Sequence, residues 1–424
     1  MSRALLEKFL SASVKRGRLD VTYAGGDRSG FGRPADGFPE VAIRFTDEKV
    51  PRDIVLDPRL GAAEAFMDGR LIVERGDVME LVTLLRANAP WDEGNSFGSP
   101  SPWRDLKNRA AFLAEQVNNR LRSRKNVAHH YDIGNDLYAL MLDGEHWQYS
   151  CAYWPRPGMS LAEAQEAKLA HIAAKLRVER GNKILDIGCG WGGMAIFLAQ
   201  NYDVRVHGIT LSAEQLDLAR KRAADAQVAE RVTFELVDYR ELPGRGETFD
   251  RIVSVGMFEH VGRPQFRTFF RACANLLKED GVMLLHTIGR FGGPGTTDAF
   301  TRKYIFPGGY IPALSETVAA SEKVRLIATD VETLRLHYAK TLRAWYANCE
   351  ANRDAIVALY DERFYRMWTF YLAGATAAFE HGSLGNYQIQ YVRTRRALPI
   401  TRDWIGTAER ELMSGPYKTA ALPT

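Results

Sequence analysis

The stretch Leu185-Asp186-Ile187-Gly188-Cys189-Gly190-Trp191-Gly192-Gly193 decides the fold. Ahead of it, Lys183 to Ile187 is an apolar run that carries a carboxylate near its end. Behind it, Met194, Ala195, Phe197 and Leu198 follow the i, i+3, i+4 spacing of a helix lying on a sheet. A strand feeding a glycine loop and then a helix is a place where backbone approaches a small ligand. Glycines suit the loop because a β-carbon would oppose both that approach and any positive φ. Two cofactor classes and a purely structural strand-to-helix turn fit this stretch taken alone.

Gly188, Gly190 and Gly193 match the dinucleotide pattern G-x-G-x-x-G, which calls for an acidic ribose reader about 20 residues on, at the end of the next strand. Here the next strand, Val204 to Ile209, ends in Thr210-Leu211-Ser212. No acid stands there. Asp186 precedes the glycines instead, where it can offset the charge of an amino-acid-like, cationic cofactor. The loop resembles motif I of class I S-adenosylmethionine-dependent methyltransferases.

The chain of 424 residues suffices for two or three domains. Its four cysteines, Cys151, Cys189, Cys273 and Cys349, form no C-x-x-C pair, so neither a zinc site nor a disulfide framework is expected, and a reducing cytoplasm suits them. The N-terminal stretch shows neither a signal-peptide core nor a membrane span. The net charge of +4 is mild, but basic residues bunch at Lys15, Arg16 and Arg18 and again at Arg104, Lys107, Arg109, Arg120, Arg122, Arg124 and Lys125. Such a patch favours phosphates, of lipid or of nucleic acid, unless it is simply a solvated helix face.

In chain order, Leu5 to Val14 reads as a short amphipathic helix. Val41 to Phe45 and Ile54 to Leu56 read as strands, and Gly61 to Asp68 and Asp77 to Arg86 as helices. These define a small N-terminal α+β domain over residues 1–88. Residues 89–103, rich in Pro, Gly and Ser, read as a linker. A basic helix leads from Trp103 to about Lys125. The adjacent His129 and His130 point to different sides of any element, so no metal site is expected. After helix Leu161 to Leu176 and the glycine loop, βα units follow: helix Ser212 to Ala226 opening on a Ser212/Gln215 capping box, strand Val232 to Leu236, strand Phe249 to Val255, helix Arg263 to Leu277 and strand Val282 to His286. They deliver Asp238, Glu259 and His286 to the ligand edge of a doubly wound sheet. An aromatic insertion, 291–313, reads as a lid. Strand Val324 to Ala328, helices opening at His337 and running from Glu362 to Glu380, and strand Tyr387 to Val392 close the sheet.

The segments YDIGNDLY (131–138), YSCAYW (149–154), LDIGCGWGG (185–193), GITLSAEQ (208–215), FEHVG (258–262), HTIG (286–289), KYIFPGGYIP (303–312) and HYAKTLRAW (337–345) are together similar to cyclopropane-fatty-acid-phospholipid synthases and the related mycolic acid cyclopropane synthases. The resemblance spans residues 100 to 395. It implies an α/β class I methyltransferase domain with a Rossmann-like doubly wound sheet, covering 104–400, behind the N-terminal domain, and a tail, 401–424, without assigned role. It also implies transfer of a methylene unit from S-adenosylmethionine across a cis double bond in a phospholipid acyl chain. An alkene has no proton to give up beforehand, so the base is needed afterwards, when the new methyl must lose one. The resemblance assigns that base to a bound bicarbonate, held by the backbone of Cys151 and Ile288 and the side chains of Glu259, His286 and Tyr338. Glu259 and His286 are expected to act as a coupled pair.

For the cofactor the resemblance implies Gly188, Gly190 and Gly192 against the methionine portion, with Asp186 near its amino group. Thr210 and Gln215 stand for the ribose reader, and Asp238 and Tyr239 hold adenine. Tyr153, Tyr304, Phe306 and Tyr310 are expected to line an acyl tunnel and to face a cation with their rings. The expected partner is an anionic phospholipid surface rather than nucleic acid, with the protein cytoplasmic and peripheral on the inner face of the membrane and a homodimer as an open option. The competing readings are C-methylation to a methyl-branched chain and a non-catalytic lipid-binding protein.

Overall fold

A computed structural model describes residues 2–94 and 134–414. The basic helix expected between Trp103 and Lys125, His129 and His130, most of the 89–103 linker and the last ten residues lie outside the described residues. The chain divides into two compact units: residues 1–115, 296–307 and 338–384 form one, and 116–295, 308–337 and 385–424 the other.

In the first unit, strands β1 (Gly17–Thr22), β2 (Arg28–Arg33), β3 (Glu40–Phe45) and β4 (Leu71–Arg75) form a sheet in the order β2-β1-β3-β4, with β1 parallel to β3 and the other pairs antiparallel. Alternation along β1 and β3 sends Leu19, Val21, Val41, Ile43 and Phe45 inward, onto Leu6 and Leu10 of helix Ser2–Ser13 and Leu84 of helix Val78–Ala87. Ile54 to Leu56, expected as a strand, ends helix Val50–Leu56 instead. Pro51 presets the first turn of that helix, and a three-residue apolar run carries no period of its own. Of the first basic bunch, Arg18 faces Asp20 at 2.8 Å and Arg16 lies 3.8 Å from Glu93, so part of its charge is matched locally.

This unit draws on more chain than residues 1–88. Helix Glu362–Glu380 packs on helices Pro58–Met67 and Val78–Ala87, with Phe370 against Phe66 and Arg363 2.8 Å from Asp68. Part of the expected lid joins them through Lys303 and Tyr304, which reach Glu64 at 2.7 and 2.8 Å.

The second unit holds strands β5 (Lys183–Ile187), β6 (Arg205–Thr210), β7 (Val232–Leu236), β8 (Phe249–Val255), β9 (Leu277–Arg290), β10 (Ile327–Thr333) and β11 (Leu384–Val392), ordered β10-β11-β9-β8-β5-β6-β7. β9, β8, β5, β6 and β7 run parallel, and β10 pairs antiparallel with β11. The chain winds one way from β5 and the other from β8, so the switch point where such sheets bind ligands lies between these two strands. The last strand pair was expected to begin at Val324, but 323–326 turns, with Arg325 at φ +62°, and the strand is Ile327–Thr333. Of the expected tail, Asp403–Ser414 is a helix on helix Leu161–Leu176, joined by Glu409 Oε2 and His171 Nδ1 at 2.9 Å. Among the described residues no helix is long and apolar enough to cross a membrane.

Candidate active site

The glycine loop adopts the conformation its composition asks for. Gly188, Gly190 and Gly192 have φ of +84°, +54° and +79°. A β-carbon on Gly192 would come within 2.6 Å of the Phe234 ring, and one on Gly193 within 2.1 Å of the carbonyl oxygen of His146, whereas one on Gly190 would meet nothing within 4 Å. Gly192 and Gly193 thus let the loop close on its own protein, and Gly190 opens onto free space. Helix Gly193–Asn201 starts here, with its amide ends toward the loop.

Asp186 is 2% exposed, and its Oδ2 has no hydrogen-bond partner. Burial pushes its carboxyl up to about 7, opposed by the charge of Lys168. At the end of β6, Thr210 Oγ1 and Gln215 Oε1 lie 3.0 Å apart. Ser212 caps the following helix by accepting from the Gln215 amide, but the Gln215 side chain bonds Thr210 rather than returning to Ser212, so the expected capping box is half made. Asp238 is buried and engages the Arg240 guanidinium through both oxygens, while the Tyr239 ring packs edge-on against Phe269. These two expected adenine contacts are directed at protein in this structure.

Past β8, Glu259 sits on a short helical turn. Its Oε1 accepts from the Ile288 amide at 2.6 Å, its Oε2 is buried without a partner, and burial pushes its carboxyl up to about 7. His286 and Ile288 lie two apart on β9, which continues beyond the expected end at His286 to Arg290. The His286 ring is fully buried; Gln388 Nε2 stands 3.1 Å from its Nδ1, and its Nε2 has no partner. With Gln388 donating, the ring proton falls on Nε2. Burial holds this imidazole neutral by pulling its pKa well below the usual value. Glu259 and His286 are therefore not the expected coupled pair: burial shifts each of them, and each bonds a different neighbour. The amide of Ile288, expected to face an anion, is taken by Glu259. Cys151 is fully buried, with its thiol on the Ala152 carbonyl.

The remaining expected residues fall into both units. Tyr310 is buried beside this site, its amide on the Glu259 carbonyl at 2.9 Å and its hydroxyl on Glu316 at 2.6 Å. Tyr153 stacks in parallel with the imidazoles of His171 and His337, at centroid distances of 4.2 and 5.2 Å, so its ring surface is engaged by protein. Tyr304, Phe306 and Tyr338 belong to the first unit. There Tyr304 bonds Glu64, Phe306 packs on Tyr371, and Tyr338 lies against Phe379 and Trp345.

Sequence reading missed the polar core behind the loop. Lys168 and Gln165 of helix Leu161–Leu176 are fully buried and reach the Gln148–Ser150 segment. The signal was available: Gln165 and Lys168 are one turn apart on a helix whose other neighbours, Ala164, Ala167, Leu169 and Ile172, are all core.

A profile of the mycolic acid cyclopropane synthetase family matches residues 118–389. The "Cyclopropane-fatty-acyl-phospholipid synthase" of Escherichia coli K12 is 38% identical over 358 residues, 84% of this chain and 89% of that protein. A "Probable fatty acid methyltransferase" of Pseudomonas putida is 42% identical over 287 residues, 65% of this chain and 72% of its own. Among solved structures, mycolic acid cyclopropane synthase CmaA1 complexed with SAH and CTAB superposes with a TM-score of 0.60 at 35% identity, over 63% of this chain and 97% of that one.

Proposed function

Since this chain belongs to the mycolic acid cyclopropane synthetase family and is an S-adenosylmethionine-dependent methyltransferase, we propose that it adds a methylene unit to the cis double bond of unsaturated acyl chains in membrane phospholipids, forming cyclopropane fatty acids. The observation that carries this reading is the pair of partnerless buried polar atoms beside the glycine-loop sheet edge, Glu259 Oε2 and His286 Nε2.

S-Adenosylmethionine supplies the electrophilic methyl carbon. Gly188, Gly190 and Gly192 would take its methionine portion, and Asp186 Oδ2 would accept from its amino group. Burial of Glu259 and His286 would keep water from the developing carbocation, and positioning would account for much of the acceleration. A bicarbonate held here would supply the base for the proton of the new methyl. The residues fit it: an imidazole with its proton on Nε2 donates to an anion, and a Glu259 carboxyl raised to about 7 by burial can donate in its acid form. The backbone of Cys151 would complete the cradle, and Tyr338 is carried from the family likeness. The Ile288 amide contributes by fixing Glu259.

The lipid surface on this proposal is anionic, met by the basic run from Arg104 to Lys125, with the protein peripheral on the cytoplasmic face of the membrane and acting without nucleic acid. A second reading is C-methylation to a branched chain, with which the name of the Pseudomonas putida relative, a probable fatty acid methyltransferase, is compatible. Mass spectrometry of lipids from an expressing host separates them. A gain of CH2 per unsaturated chain that resists hydrogenation supports the ring, and a gain of CH2 plus two hydrogens indicates a branch. No gain in any chain overturns both.

A further inference from the structure

Helix Leu161–Leu176 carries a lysine where burial should discourage one. Lys168 has 0% exposure, and its ammonium reaches only neutral acceptors among the contacts described, Gln148 Oε1 and Ser150 Oγ, the latter at 3.2 Å. Gln165, one turn earlier, donates its side-chain amide to the carbonyls of Gln148 and Ser150 at 3.3 and 3.0 Å. From the other end, the Asp143 carboxylate accepts from the amides of His146, Trp147 and Gln148. The segment so fixed leads directly into Cys151. It also lies on the glycine loop: a β-carbon on Gly193 would come within 2.2 Å of Gln148 Nε2.

Two neutral oxygens take two of an ammonium's three hydrogens and do not balance its charge. The groups around it leave two anions for that task. His146 and His286 are held neutral by burial, and the thiols of Cys151 and Cys189 are pushed up, so Asp143 and Asp186 remain, and both favour the charged lysine. Asp143 spends its oxygens on three amides. Asp186 keeps Oδ2 unpartnered.

We infer that Lys168 is a positioning residue for the methyl donor, tying the Gln148–Ser150 segment to the glycine loop and setting its positive charge in the same buried core as Asp186, whose unpartnered Oδ2 would take the donor's amino group. The inference rests on assigning the glycine loop to S-adenosylmethionine. The energetics run in one direction. Burial drives Lys168 down to about 7 and Asp186 up to about 7, and each charge resists the shift of the other. Remove the lysine charge and Asp186 holds its proton to higher pH.

The test is the affinity of S-adenosylhomocysteine, by calorimetry across pH, for the wild type, Lys168→Gln and Lys168→Met. Wild-type affinity is expected to rise with pH through neutrality, with protons released on binding. In Lys168→Gln, which keeps a polar group near Gln148 and Ser150, the midpoint of that rise should move up by roughly one pH unit or more, with a loss of roughly tenfold at neutral pH that closes at alkaline pH. The same fold loss at every pH marks a merely structural lysine and overturns the inference. If neither variant folds, wild-type binding that is flat in pH and releases no proton overturns it equally. Wild-type protein that binds no S-adenosylhomocysteine at any pH overturns the methyl-donor assignment itself, and this inference with it.

Discussion

Glu259 Oε1 takes the Ile288 amide at 2.6 Å, which leaves Oε2 as the end of the carboxyl without a partner. The amide fixes the orientation and the free end is available for chemistry. Glu259→Gln preserves shape and one acceptor but cannot deliver or share a proton. Turnover should fall by roughly 100-fold or more, the scale of a lost general acid–base contact. Affinity for S-adenosylhomocysteine should stay within about threefold, because no cofactor contact is assigned to Glu259. Equal losses in single-turnover rate and in affinity would contradict the role.

The same carboxyl predicts a pH dependence of stability. Folding raises Glu259 from 4.5, and Asp186 from 3.8, to about 7 through burial. Each binds its proton more tightly when folded, so its stabilising contribution is complete below the unfolded value and is lost as pH rises through about 7. Denaturant unfolding across about pH 5 to about pH 8 should show the wild type losing up to about 3 kcal/mol relative to Glu259→Gln, the difference isolating this carboxyl from the buried histidines and Lys168, whose lowered pKa values act in the opposite direction. An unchanged slope in the variant would show that Glu259 is not the buried acid described.

Glycines of the loop should separate folding from binding. Gly193→Ala drives a β-carbon to 2.1 Å from a main-chain oxygen, which cannot swing away. It should cost about 2 kcal/mol or more, read as a fall in Tm. Gly190→Ala meets no neighbour and carries only the strain of φ +54°, about 1 kcal/mol. It should fold, yet lose cofactor affinity, because the added methyl occupies the space assigned to the ligand. Equal Tm losses, or unimpaired binding by Gly190→Ala, would refute this division.

Membrane attachment is expected to be electrostatic. Each basic residue near an anionic surface contributes about 1 kcal/mol, screened by salt. Sedimentation with phosphatidylglycerol-containing vesicles should exceed that with neutral vesicles and fall as salt is raised. Binding indifferent to both would remove the anionic surface as partner.

What the sequence disclosed depended on distance along the chain. Helix Leu161–Leu176, strands β7 and β8 and helix Glu362–Glu380 have the bounds that their periodicity and caps predict, because those signals are local. β1, β2 and β4 went unread. β2, Arg28–Arg33, sets arginines at its ends and a serine and two glycines around a single inward phenylalanine, Phe31, too little for a pattern. In the candidate site the glycines and the strand-end acids were legible one by one. Their partners were not: Gln388 meets His286 across 102 residues, and Lys168 meets Gln148 across 20. A buried face shows in the spacing of residues, but the group that it faces does not. That is why Glu259 and His286 were expected to act as a coupled pair, when each has a separate neighbour, Ile288 and Gln388.

The N-terminal sheet shares its unit with helix Glu362–Glu380 and with the turn that carries Lys303 and Tyr304. Residues 1–88 are therefore not a portable cassette. Grafted onto another enzyme they would arrive without Phe370, Arg363 and Tyr304, and a chain shortened to its matched region would display those same groups to solvent. Recombination among relatives would have to exchange three separated stretches together to keep the unit whole.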